Sequence, residues 1–270
     1  MKVALCLCGQ QRTFSFCAPS VIRHIIEPYS TDVFLCTDGD GYAMKETYHP
    51  VAMEVISQEE QRARIGERIH RYGDEVPNPG PYKDYPIHPA GDLQFLYKMW
   101  RCREMIRDYE EKHGEYDVVV VTRFDAKFLN IQPIEKPKPN TFYIPLVDAF
   151  GKKAENGIHW GMGYATHIWW ADANTASTIL DSYNWSDEIF KETHQWCGES
   201  MTKYFCDKMG IKVEYTDVEF MLIRGTSREP REGLPPWNFL SKTCHAEYLT
   251  QEWEKVVHTI EPPHAEGFGW

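Results

Sequence analysis

Thr122-Arg123-Phe124-Asp125 closes the most strongly strand-forming run in the chain, Tyr116–Thr122 (Y-D-V-V-V-V-T). Side chains alternate along a strand, so Arg123 and Asp125, two apart, leave on the same side. Two charges at a buried strand end cost several kcal/mol unless they are paired or used. Two chemistries fit them. One is a structural Arg–Asp pair. The other is a carboxylate offering hard oxygen to Mg²⁺ or Mn²⁺, ions that keep several waters and take one or two carboxylates plus phosphate oxygens.

Three further clusters carry comparable chemistry. Gly9-Gln10-Gln11-Arg12-Thr13 follows the first apolar run. Gly9 allows close approach of backbone to a ligand, Arg12 can grip phosphate bidentately, and Thr13 adds a hydroxyl; a tight turn with a solvated Arg is the plainer alternative. Gln94 and Lys98 stand four apart, on one face of a helix, where Lys98 suits a phosphate or carboxylate or simply solvent. Glu199 opens a helix after Trp196-Cys197-Gly198, where the helix dipole favours an anion and where a general base could also sit.

The elements that must position these groups follow from periodicity. Val3–Cys8 and Asp32–Cys36 are short apolar runs of the parallel, doubly buried type, and Tyr116–Thr122 is the sheet centre. Ala52–Ile56, Thr141–Pro145, Lys212–Tyr215 and Val218–Ile223 are further strands, and Tyr164–Ala171 is apolar and aromatic. Helices are expected over Val21–Ile26 (stopped near Pro28), Ser57–Arg71 with a Ser cap, Gly91–His113 with Gly114 as its stop, the stretch after the Asp172 cap to Tyr183, Cys197–Met209 and Ala246–His258. Gly73–Pro89, with five prolines, is a long loop, and Leu146–Gly163 is a Gly-rich one. Strands alternating with helices predict an open, mostly parallel α/β sheet, with ligands outside the carboxyl ends of its strands. That rule selects the loops after Cys8, after Cys36 (Thr37-Asp38-Gly39-Asp40-Gly41) and after Thr122. No Gly-x-Gly-x-x-Gly or P-loop pattern follows any strand, which argues against a dinucleotide or P-loop site.

Composition narrows the partners. Over 270 residues, 29 Lys and Arg against 40 Asp and Glu leave a formal charge of −11, unsuited to non-specific contact with nucleic acid or anionic membrane. Nine Trp and fifteen Tyr suit carbohydrate-handling surfaces as well as cores. The first apolar run is too short for a signal peptide, and no window is apolar enough for a membrane span, so a cytoplasmic protein is expected. Its eight Cys have no C-x-x-C spacing and are expected to be thiols. Cys6 and Cys8 should share one face of their strand.

In this order, V-A-L-C-L-C-G-Q-Q-R-T-F at 3–14, D-V-F-L-C-T at 32–37, the helix with Gln94, Tyr97 and Lys98, and Y-D-V-V-V-V-T-R-F-D at 116–125 resemble a known pattern. It is that of the small GT-A-type glycosyltransferase-like proteins of viral and bacterial surface-polysaccharide gene sets. Glycine-rich Trp160–Tyr164 and the Glu199 helix resemble its later half. The resemblance implies a GT-A-like fold over 1–225, with the Pro-rich extension and helix of 226–270 packing on the same domain. It implies a transferase moving sugar from a nucleoside-diphosphate sugar to a glycan or glycoprotein acceptor, assisted by Mn²⁺ or Mg²⁺, in the host cytoplasm if the chain is viral. Asp125 takes the place of the last Asp of the Asp-x-Asp metal motif. Arg123 stands where the first would be and is suited to neutralising diphosphate directly. Gly9, Gln10, Arg12, Thr13, Asp38, Gln94 and Lys98 would hold the nucleotide sugar with Arg123 and Asp125. Glu199 matches the helix-start acid that serves as base in many inverting enzymes of this type, with Asp148 or Asp172 as alternatives. Trp160, Trp169, Trp170 and Trp196 could stack on sugars. The chain departs from the pattern at Cys36, where relatives carry His, and at Thr166-His167-Ile168-Trp169-Trp170, where they often carry an Asp before an aromatic pair. The competing expectations are a sugar nucleotidyltransferase and a catalytically inactive nucleotide-binding scaffold on the same fold.

Overall fold

The computed structural model of the chain describes residues 1–11, 13–39, 41–57, 59–61, 63–66, 89–145, 149–150, 163–164, 167–193 and 198–223. A seven-stranded sheet runs in the order β10-β6-β9-β4-β1-β2-β3. Its strands are β1 (Val3–Gly9), β2 (Asp32–Thr37), β3 (Ala52–Val55), β4 (Val118–Thr122), β6 (Thr141–Pro145), β9 (Ile168–Ala171) and β10 (Lys212–Thr216). The pairs β1–β2, β1–β4, β2–β3 and β6–β10 are parallel. Only β9 runs the other way, wedged between β4 and β6. The expected α/β class, with a mostly parallel sheet flanked by helices, is therefore present. Two antiparallel ribbons complete the strands: β5 (Ala126–Asn130) with β11 (Glu219–Leu222), and β7 (Ala149–Phe150) with β8 (Gly163–Tyr164).

Strand alternation builds two cores. Cys6, Cys8, Phe34, Cys36, Val119, Val121 and Trp169 face one side. They meet the long helix α3 (Pro89–His113) through Leu93, Leu96, Tyr97, Met99, Cys102 and Ile106. Cys6 and Cys8 share that face, as their spacing predicts. Leu5, Leu7, Val33, Leu35, Val120 and Trp170 face the other side. They pack on α1 (Phe14–Val21) through Phe14, Ala18 and Val21, and on α2 (Tyr42–Tyr48) through Met44 and Tyr48. The first core also takes in α4 (Ala173–Leu180), α5 (Ser186–Thr193) and α6 (Gly198–Lys208).

Several boundaries differ from expectation. The first helical run begins at Phe14, seven residues before Val21, and continues through a π-helical stretch (Ile22–Ile26) and a last turn containing Pro28. Pro19 lies inside α1 on its exposed side, so the apolar face of Phe14, Cys17, Ala18 and Val21 is uninterrupted. Of the apolar, aromatic run Tyr164–Ala171, Ile168–Ala171 forms β9 of the sheet and Tyr164 ends β8. Ser57 does cap its helix, its hydroxyl accepting from the Glu60 N–H at 3.0 Å. Gly114 ends α3 with φ 81°, its N–H donating to the Glu110 carbonyl at 2.8 Å. Gly73–His88 and everything from residue 224 onward, including the expected helix at Ala246–His258 and the 226–270 extension, lie outside the described residues. No helix among the described residues is long and apolar enough to cross a membrane.

Candidate functional site

The carboxyl ends of β1, β2 and β4 lie side by side, so Gly9, Thr37-Asp38 and Arg123–Asp125 share one edge of the sheet. Gly9 has φ 131°, a conformation that suits glycine. Its carbonyl accepts from the Thr37 hydroxyl at 3.3 Å and from the Lys98 ammonium at 3.2 Å. Lys98 comes from α3 and is 2% exposed; its Nζ also lies 2.9 Å from Asp38 Oδ2. Of the partners open to Lys98 in the sequence, the structure shows a carboxylate, and the helix face carries a buried cation into the strand ends.

Arg123 and Asp125 form the second ion pair. Nε and Nη2 each donate at 2.8 Å to the two carboxylate oxygens, a bidentate fork. Asp125 is 2% exposed and Arg123 20%. The guanidinium carbon also stands 5.8 Å from the centre of the Phe95 ring. Phe95 and Lys98 are three apart on α3, so one helix face serves both ion pairs. Asp92, three residues earlier, accepts from the Gly198 N–H at 3.2 Å and so ties the start of α6 to the start of α3. Glu199 is therefore the second residue of a helix that begins beside this face; the geometry of its side chain lies outside the described residues.

Thr13 works differently from expectation. It stands at the start of α1 but makes no side-chain cap. Its hydroxyl donates instead to the Ile223 carbonyl, while the Ile223 N–H donates to the Asp125 carbonyl at 2.8 Å. The end of β11 is thereby stitched to both the β1 and the β4 loops. Cys17 lies beneath Thr13, and burial pushes its thiol up to about 12 against the lowering effect of the Thr13 hydrogen bond.

The chain belongs to the DUF7796 family. The profile of this domain of unknown function matches residues 1–166. No curated protein matches the chain. The DUF7796 match takes in Gly9, Asp38, Lys98, Arg123 and Asp125, the residues that converge on the sheet edge.

Other expected residues of this DUF7796 chain fall elsewhere. Asp172 is at the opposite edge, because β9 is antiparallel and Ala171 pairs with Val119 near the start of β4. There its carboxylate caps α4, accepting from the Asn174 and Thr175 N–H groups at 3.1 Å. That corrects its assignment as a base at the donor site. Trp169 is wholly buried and packs edge-on against Phe142, with ring centres 5.3 Å apart, so sugar stacking is not open to it. Trp170 is stacked on Tyr143 in the other core. Gln10 and Gln94 are half-buried. Arg12, Asp148, Trp160 and Trp196 lie outside the described residues.

A divalent cation fits the described residues poorly. No three His, Cys, Asp or Glu side chains among them form a metal-holding group. The two carboxylates at the edge already face cations, Asp38 facing Lys98 and Asp125 facing Arg123, and those four charges sum to zero.

Sequence reasoning missed Asp92, Phe95 and the Thr13–Ile223 bond. A helical-wheel reading of Asp92, Phe95 and Lys98 as one face could have joined the first two to the site. Nothing in the sequence pairs Thr13 with a residue 210 positions away.

Proposed function

We propose that the chain is a nucleotide-sugar-dependent glycosyltransferase with a GT-A-like fold, its donor diphosphate lying over Gly9, Lys98 and Arg123. The observation that supports this best is the convergence of a buried cation (Lys98), a half-buried one (Arg123) and a glycine on the carboxyl edge of a mostly parallel sheet, where such sheets place ligands. The motif order resembling small glycosyltransferase-like proteins supports the donor class. In the transfer, the acceptor hydroxyl oxygen bonds to the anomeric carbon. The bond from that carbon to the diphosphate breaks, and its electron pair leaves with the diphosphate oxygen. The acceptor proton goes to a carboxylate, for which Glu199 at the start of α6 is the first choice. Cationic groups at the leaving oxygen stabilise the charge that develops there. Asp38 would hold Lys98 in place, and Thr13 would hold the neighbouring loop.

A second reading is an inactive nucleotide-binding scaffold. It is favoured by the bidentate pairing of the Asp125 carboxylate with Arg123. One experiment separates the two. The protein is incubated with a panel of UDP-, GDP-, CDP-, ADP- and dTDP-sugars, and release of free nucleotide is followed with a mixed glycan acceptor pool. Turnover supports the transferase. Saturable binding without release of nucleotide supports the scaffold. Absence of both overturns the nucleotide-sugar reading.

A further inference from the structure

Resting on the donor-site reading above, we infer that Arg123, and not a divalent cation on Asp125, neutralises the donor diphosphate, and that Asp125 is a positioning residue acting through Arg123. A metal at Asp125 would have to share its carboxylate oxygens with the Arg123 fork, since each already accepts a charge-assisted hydrogen bond at 2.8 Å. Opening that fork would take from Asp125, 2% exposed, two charge-assisted hydrogen bonds that offset its burial, and from Arg123 the carboxylate it grips. Keeping it closed costs nothing of this kind. Nε and Nη2 give Asp125 two of the five N–H groups of a guanidinium. The ring of Phe95 lies to one side and the carboxylate to another, which fixes the plane of the group. Of the two cations Arg123 is the more accessible, at 20% against 2% for Lys98. A planar fork held in this way suits a diphosphate better than a flexible ammonium does. Lys98, bonded to the Gly9 carbonyl and Asp38, is the second cation at this edge.

The test is isothermal titration with UDP, GDP, CDP, dTDP and ADP, each in EDTA and again in Mn²⁺, on the full chain and on Arg123→Gln, Arg123→Lys and Asp125→Asn, with melting curves as the folding check. The expected result is that one nucleotide binds the wild type with affinities within about twofold in the two buffers. Arg123→Gln should then weaken it at least tenfold in both, a loss of about 1.4 kcal/mol or more. Arg123→Lys should recover part of the affinity. Asp125→Asn should weaken binding less than Arg123→Gln does and leave it independent of Mn²⁺. Binding that appears only with Mn²⁺ and disappears in Asp125→Asn would overturn the inference while leaving the donor site standing. No binding by any nucleotide in either buffer would instead sink the donor-site reading, and the inference with it. If Arg123→Gln does not fold, Arg123→Lys and the wild-type comparison between the two buffers still decide.

Discussion

Lys98 reaches Asp38 across 60 residues of sequence, ammonium to carboxylate at 2.9 Å, inside the protein and directly beneath the carboxyl end of β1. Removing one partner of a buried pair strands the other charge, which typically costs about 3–5 kcal/mol. Lys98→Met and Asp38→Asn are each expected to lower stability by roughly that amount in urea titrations. The double variant should be clearly more stable than the sum of the two losses predicts, because it leaves no uncompensated charge. Additive losses would show that the pair is not coupled.

Trp169 separates a core role from a carbohydrate-binding one. It is enclosed on the face shared by α3 and α4, against Phe142. Trp169→Ala should cost about 3–5 kcal/mol through the cavity it leaves. Trp169→Phe, which keeps most of the ring, should cost much less and leave the affinity for any glycan unchanged. A Trp169→Phe variant of wild-type stability that no longer binds glycan would restore the stacking role.

What the sequence made legible was local. β1, β2, β4 and α3 stood out because their apolar residues are contiguous or recur at helical spacing, and the Arg123–Asp125 pair because its members are two apart just past the end of the all-Val run, in what the structure makes the turn between β4 and β5. The helix from Phe14 was hidden by Pro19, which breaks a pattern on paper but lies on the exposed side in space. β5 was hidden because its five residues directly follow the charged motif and alternate only weakly. The reversal of β9 could not be read at all, since an apolar strand carries no mark of its direction, and that reversal is what removes Asp172 from the site. Contacts such as Asp92 with Gly198, 106 residues apart, exist only after folding.

The thiols should be silent in the native state. Cys6, Cys8, Cys17, Cys36, Cys102 and Cys206 are all buried. Burial pushes Cys17 and Cys206 up to about 12 and raises Cys6, Cys36 and Cys102 as well. The thiolate is the reactive form, so at pH 8 iodoacetamide followed by peptide mass spectrometry should find these six unmodified in the folded protein and modified in urea. Fast native labelling at Cys17 would mean that the α1 start opens readily.

Acid should weaken the protein partly through His24. Its pKa is lowered from 6.5, first by burial and then by the neighbouring Arg23. A base whose folded pKa is depressed binds its proton more readily when unfolded. Its contribution to stability is therefore present above about 6.5 and is lost as pH falls through the folded value. Urea titrations between pH 8 and pH 5 should show wild type losing stability faster than His24→Asn over the lower half of that range. Parallel curves would remove His24 from the account.

Asp92 makes the last prediction, because it couples the two helices that the proposed chemistry needs. Its carboxylate accepts from Gly198 at the first turn of α6, while Phe95 and Lys98 on the same face of α3 serve the two ion pairs. An anion at a helix start satisfies an otherwise unpaired N–H and meets the positive end of the dipole. Asp92→Ala should cost about 1 kcal/mol of stability, within the usual range for a lost cap. Asp92→Asn, which keeps an acceptor, should cost less. If Glu199 is the base, Asp92→Ala should also slow transfer while leaving nucleoside diphosphate affinity near wild type, since the α6 start shifts and Lys98 and Arg123 do not. An equal loss in nucleotide affinity would show instead that Asp92 supports the donor side of the site.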